Sequence, residues 1–227
     1  MSKTIHDKHG WFFYGKKALI MKPLYWRWLF FIAGLIILAF GISLTIKGQL
    51  LGIGPWDVLH VGLYLNVGLT IGSWSIISGL VIVIGTAIGT KRLPKIGTWL
   101  NMILVGLFID FFNWLLPDLT QYFGQTVFFI AGVVIMGLGV GVYVAPNMGA
   151  GPRDSIMILI VEKTGWTVKR VRTGIELIVA IVGWMLGGPI GFGTVFIAII
   201  LGQIVHITLP MASRWLNWCI NKKEDRE

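Results

Sequence analysis

Residues 30–44 read FFIAGLIILAFGISL, and residues 128–142 read FFIAGVVIMGLGVGV. Seven of the fifteen positions are identical without a gap, and most of the others exchange one apolar or small residue for another. The correspondence continues after a one-residue slip. LGIGPWD, Leu51 to Asp57, aligns with MGAGPRD, Met148 to Asp154, and Gly68-Leu69-Thr70 aligns with Gly165-Trp166-Thr167. After one more slip Gly97-Thr98 aligns with Gly193-Thr194, and Gly106 with Gly202. Apolar similarity produces single matches by chance, but an ordered series of them marks an internal duplication.

Both copies lie in runs that only lipid can cover. The chain of 227 residues is 56% hydrophobic and 13% charged, against roughly a quarter charged in a soluble domain. Six stretches are long and apolar enough to cross a bilayer: about 26–46, 72–90, 97–116, 126–145, 172–188 and 191–209. Two shorter segments, about 55–67 and 152–163, sit between the first and second spans and between the fourth and fifth. Eleven Trp and 13 Phe suit interfacial belts, and 30 Gly suit close helix contacts. Cys219 is the single cysteine, so no internal disulfide forms. No cleavable signal is expected, because the first apolar segment follows more than twenty polar or mixed residues.

Charge distribution sets the expected orientation. If the short segments do not cross and the N-terminus is cytoplasmic, Lys47 is the one outer cation and the other eighteen of the 19 Lys and Arg lie inside. That bias obeys the positive-inside rule. It also explains the net charge of +9 as membrane retention, with no nucleic-acid partner. The short segments are then re-entrant or partly inserted helices. Trp11, Phe12, Phe13 and Tyr14 beside Lys16 and Lys17 suit the membrane surface, as does the stretch from Met211 to Ile220 with Trp215 and Trp218.

The expected architecture is therefore an all-α polytopic membrane protein with six transmembrane helices in two inverted three-helix repeats, each with a short re-entrant helix. Three crossings per copy is odd, so the second copy starts from the opposite side, which puts Asp57 outside and Asp154 inside. The divisions are a cytoplasmic or interfacial N-terminus at 1–25, a first repeat at 26–116, an outer loop at 117–125, a second repeat at 126–210, and a cytoplasmic tail at 211–227. Both termini are expected in the cytoplasm. Inverted repeats with interrupted helices are a recurrent design of secondary transporters.

The helix-break motifs are Gly52, Gly54 and Pro55 in the first copy and Gly149, Gly151 and Pro152 in the second. Glycine permits a turn or a close approach, and proline suits the first turn of a helix, where its missing N–H costs nothing. Asp57 and Asp154 then lie in the first turn, where a carboxylate favours the positive helix end. Each aspartate is either such a first-turn charge or part of a gate or binding site formed where the motifs meet. The copies differ at Trp56 and Arg153; Arg153 either pairs with Asp154 or a neighbouring acid, or extends to the cytoplasmic surface.

Ionisable residues within spans are costly and few. Asp57, Asp110, Asp154 and Glu176 are candidates for a proton or cation coupling group, with Arg153 and His206 as further substrate or coupling candidates. Position near an interface also accounts for Asp110 and His206, which align in the duplication. Arg172, one turn before Glu176, accounts for that acid as an ordinary helix pair. His60 lies in the first short helix, and Thr45 and Asn101 offer neutral hydrogen bonds. No zinc spacing, phosphate-binding loop or nucleophile motif is present, so no catalytic residue, metal or cofactor is expected.

LGIGPWDVLHVGL, the following GLTIGSWSIISG, and the later MGAGPRDSIM with its GWT resemble the YczE/YyaS/YitT group of bacterial membrane proteins, most closely its YczE-like members. The resemblance covers about 26–210 and implies a multi-pass protein of the bacterial inner membrane. It implies no reaction. The inverted duplication makes a small secondary transporter or exporter of an unknown small solute the leading expectation, compatible with proton coupling and with a homodimer in the lipid bilayer. The alternative is a non-transporting membrane regulator or assembly partner.

Overall fold

The computed structural model describes residues 24–149 and 151–224. The aromatic cluster at Trp11 to Tyr14 and its neighbouring lysines lie outside the described residues. Eight α-helices follow in order: α1 (Leu24–Lys47), α2 (Pro55–Val67), α3 (Ile71–Thr90), α4 (Ile96–Leu115), α5 (Tyr122–Val144), α6 (Pro152–Thr164), α7 (Val168–Met185) and α8 (Phe192–Glu224), with one 3-10 turn at Gln49–Leu51.

Local chemistry sets the helix boundaries. Pro55 and Pro152 each occupy the opening turn of a short helix. Gly68 and Gly165, with φ of 85° and 70°, end those helices in a conformation that glycine adopts without steric cost. Two residues later, Thr70 and Thr167 cap the next helices: their side-chain oxygens accept from the N–H groups of Ser73 and Arg170. The G-x-T pair seen in both copies is thus a stop followed by a start.

Length decides which helices can span. At ~1.5 Å per residue, the 13 residues of α2 or α6 reach about 20 Å, short of the ~30 Å hydrocarbon core. Among the described residues five helices are long and apolar enough to cross: α1, α3, α4, α5 and α8. The expected span at 172–188 falls largely on α7, whose 18 residues include Lys169, Arg170, Arg172 and Glu176, so its first turns are too charged to belong to that set. α8 also departs from expectation. It continues as one helix through Pro210, where a separate tail was expected, and its 33 residues extend about 50 Å.

The core is a seam between α1 and α5, which run antiparallel. A β-carbon on Gly34 would collide with the Tyr143 backbone nitrogen, and one on Gly41 with that of Met136. From the other helix, one on Gly132 would meet Thr45 at 2.7 Å and one on Gly139 would collide with the Leu38 backbone. Only glycine lets the two backbones approach this closely, and in lipid such packing replaces the hydrophobic drive between helices. These contacts come in matched pairs: Gly34 corresponds to Gly132 in the duplication, Tyr143 to Thr45, Gly41 to Gly139 and Met136 to Leu38. Phe31, Leu35, Ile42, Phe129, Val133 and Ile197 fill the surrounding core.

The outer helices repeat the pattern. α4 packs on α1 and α8 on α5, while α2 lies against α7 and α6 against α3, so each short helix rests on the other half of the chain. Leu59 meets Gly183 and Gly62 meets Leu186, whereas Gly79 meets Pro152 and Gly89 meets Leu159. In each case the short helix runs in the direction of the long helix beside it. The repeat is less even elsewhere, because α3 packs extensively on α4 while α7 and α8 lack a comparable interface.

Candidate functional site

The N-terminal ends of the short helices are held by exchanged contacts. Gly52, with φ of 95°, packs against Gly191 and the Thr194 hydroxyl at the start of α8. Gly149 packs against Gly97 and Thr98 at the start of α4. Each glycine thus seats on the corresponding Gly-Thr region of the other half, and the first turns of α2 and α6 are carried into the interior.

There they meet. Asp57, in the first turn of α2, is 1% exposed, and its Oδ2 occupies the place that a Gly54 side chain would take, 2.6 Å from a β-carbon there. The Arg153 guanidinium, from the first turn of α6, comes within 3.6 Å of Asp57 Oδ1. Its central carbon lies 5.2 Å from the Trp56 ring centroid, within reach of a cation–π attraction. The residues at which the two G-P-x-D motifs differ, Trp56 and Arg153, are therefore where they touch. His60, one turn after Asp57, places Nδ1 3.9 Å from the same Oδ1 and Nε2 2.9 Å from the Ser78 hydroxyl.

A second polar group surrounds the start of α6. A β-carbon on Gly151 would lie 3.4 Å from Asn101 Oδ1, 3.5 Å from the Tyr143 hydroxyl and 3.6 Å from Asp154 Oδ2. The Asp154 carboxylate and the Tyr143 hydroxyl thus share the start of α6, and the charges of Arg172 and Arg153 act on that carboxylate. Arg172 Nε also donates to Glu176 at 2.8 Å. At the start of α2 the counterpart of Asn101 is apolar: Ile197 lies nearest Gly54 after Asp57. The contacts that seat the two short helices thus correspond, while their chemistry is one-sided, with most polar groups around α6.

Of the residues singled out in the sequence, Asp57, Arg153 and Asp154 gather at this centre. Glu176 joins through Arg172, and His60 and Asn101 line it. Asp110 does not. Its carboxylate accepts from Thr70 Oγ1 at 2.5 Å and from the Gly72 N–H at 2.8 Å, which makes it a cap on the start of α3 supplied by α4. His206 lies on an exposed part of α8. Thr45 donates to the Ile42 carbonyl at 2.7 Å and belongs to the α1–α5 seam. Tyr143 escaped sequence reasoning; its one signal was its alignment with another hydroxyl residue, Thr45. Among the described residues no group of three or more His, Cys, Asp or Glu is placed to hold a metal.

This arrangement can bind a small polar molecule or exchange a proton: it has three acids, two arginines, an amide, a phenol and an imidazole, together with two helix N-termini. Comparisons with known proteins extend across these elements. A family model described as "Family of unknown function (DUF6198)" matches residues 25–210. The chain is 54% identical over 197 residues to "Uncharacterized membrane protein YczE" of Bacillus subtilis (strain 168), covering 87% of this chain and 92% of that protein. It is 29% identical over 191 residues to "Uncharacterized protein YyaS" of the same organism, covering 83% and 94%. An "Uncharacterized protein" of Haemophilus influenzae is 33% identical over 180 residues, covering 78% and 81%. No solved structure matches the chain.

Proposed function

The chain belongs to the DUF6198 family, with the YczE and YyaS proteins, as a multi-pass bacterial membrane protein, and from the geometry of its centre we propose that it is a small secondary transporter or exporter of a small polar solute. The observation that carries this reading is the meeting of α2 and α6, one from each half, through Asp57 and Arg153. Two short helices whose N-termini face a polar centre supply donors and partial positive charge to a solute. Proton coupling uses the acids of the same centre. In this proposal the protein carries out no reaction of its own, and both termini lie in the cytoplasm.

Alternating access draws support from the α1–α5 seam. The two helices correspond in the duplication and run antiparallel, as expected of halves related by a two-fold axis in the membrane plane. Halves so related can exchange roles between outward-open and inward-open states. A cavity of about 610 Å³ between α3, the turn at Arg92 and Pro94, and α6 reaches Ser155, the residue after Asp154. It provides the cytoplasmic approach in this proposal.

The test uses exposed positions that correspond in the two halves. With Cys219 replaced by Ser, single cysteines at Leu69 and Trp166 are labelled in intact cells and in opened membranes with an impermeant thiol reagent. Labelling of 69 from outside and 166 only from inside is expected. Labelling of both from one face would remove the basis for alternating access and favour a regulator or assembly partner.

A further inference from the structure

The Ser78 hydroxyl on α3 lies against the His60 imidazole on α2. A serine hydroxyl has one hydrogen, and that of Ser78 goes to the Ser75 carbonyl at 3.2 Å. In that arrangement its oxygen accepts from His60 Nε2 at 2.9 Å, with the imidazole hydrogen on Nε2 and a lone pair on Nδ1 in the neutral ring. That lone pair faces Asp57 Oδ1 at 3.9 Å. Both atoms are buried, and neither has a hydrogen-bond partner among the described residues.

Two acceptors facing each other away from water are costly, and the cost falls when one proton lies between them. Among the described residues, Arg153 is the charged group from another helix that acts on both. α3 contributes the Ser78 hydroxyl, while α7 meets α2 at Gly183 and Leu186, which do not titrate.

We propose that Asp57 and His60 form a proton-binding pair: a proton delivered by hydronium from the aqueous phase, which leaves water behind, binds Oδ1 or Nδ1, and the two atoms close from 3.9 Å to hydrogen-bond distance around it. The use of this proton to drive solute movement rests on the transporter proposal; its binding does not. The protonated pair weakens the charge attraction between the two short helices, which runs through Arg153 and Asp57.

The experiment is infrared difference spectroscopy across pH on the full-length protein in lipid nanodiscs, with no solute added. A protonated-carboxyl band that titrates in the parent, disappears in Asp57→Asn, and moves its midpoint by at least one pH unit in His60→Gln is the expected result. Asp110→Asn should leave that band in place. The absence of a titrating band, its survival in Asp57→Asn, or an unmoved midpoint in His60→Gln would overturn the pair. If Asp57→Asn does not fold, Asp57→Glu gives the same answer through the frequency of the band. Proteoliposomes that move no solute while the titration persists count against the transporter proposal alone.

Discussion

Arg153 reaches across the centre of the molecule to Asp57, 3.6 Å away, while its guanidinium lies over Trp56 in the motif that carries its partner. The Asp57 side chain is 2% exposed and that of Arg153 39%. Breaking a fully buried pair typically costs ~3–5 kcal/mol because one charge remains uncompensated. Partial exposure lowers that figure here, so Arg153→Leu is expected to destabilise the protein by about 2–3 kcal/mol. The double variant Asp57→Leu/Arg153→Leu should recover most of the loss, as read from thermal unfolding in lipid nanodiscs.

The α1–α5 seam predicts sharp differences among glycines. Gly41→Leu forces a side chain into the Met136 backbone and should abolish the monodisperse folded peak in size-exclusion chromatography. Gly85→Ala and Gly174→Ala meet nothing within 4 Å. They should retain that peak and gain up to ~1 kcal/mol from better helix propensity.

Asp110 serves α3, so its removal should weaken folding without changing the chemistry of the centre. Asp110→Ala loses two hydrogen bonds at the start of α3 and should cost about 1–3 kcal/mol. Thr70→Ala, which removes the local cap as well, should cost about 1–2 kcal/mol. The two effects should be less than additive in a double-mutant cycle, because both residues close the same helix end.

At the C-terminal end of α1, Lys47 pairs with Asp118, whose side chain is 91% exposed. An ion pair with so exposed a partner contributes little, and Lys47→Ala should shift stability by less than about 1 kcal/mol. A larger loss in thermal unfolding would mean that this end of α1 is held by more than its charge.

Most of the architecture was legible because lipid imposes simple conditions on sequence. Long apolar runs marked the crossing helices, and the Gly-Pro openings with Gly-x-Thr endings marked the two short ones. α7 and α8 were harder. The charges from Lys169 to Glu176 fall inside α7, and Pro210 does not interrupt α8 as the composition around it suggests. The centre was half legible: each aspartate could be placed in the first turn of its helix, but no local signal showed that Arg153 would find Asp57 in the other half. Asp110 stayed open in the sequence because an acid in a span looks the same whether it serves a solute or a helix end; its bonds to Thr70 and Gly72 show the helix-end contact. Tyr143 remained hidden among span aromatics for the same reason.

The seating of Gly52 on the start of α8 has a consequence for biogenesis. During synthesis at ~5–20 residues per second, Thr194 emerges roughly 7 to 28 s after Gly52. Until then the start of α2 lacks one of its walls, while Asp57 waits a shorter time for Arg153. The first half therefore reaches the bilayer with its interior unfinished, and a chain stopped near residue 116 leaves the insertion machinery holding an incomplete core. Quality control in the membrane would meet the early helices as an open intermediate, and the arrival of the last helix is the event that closes it.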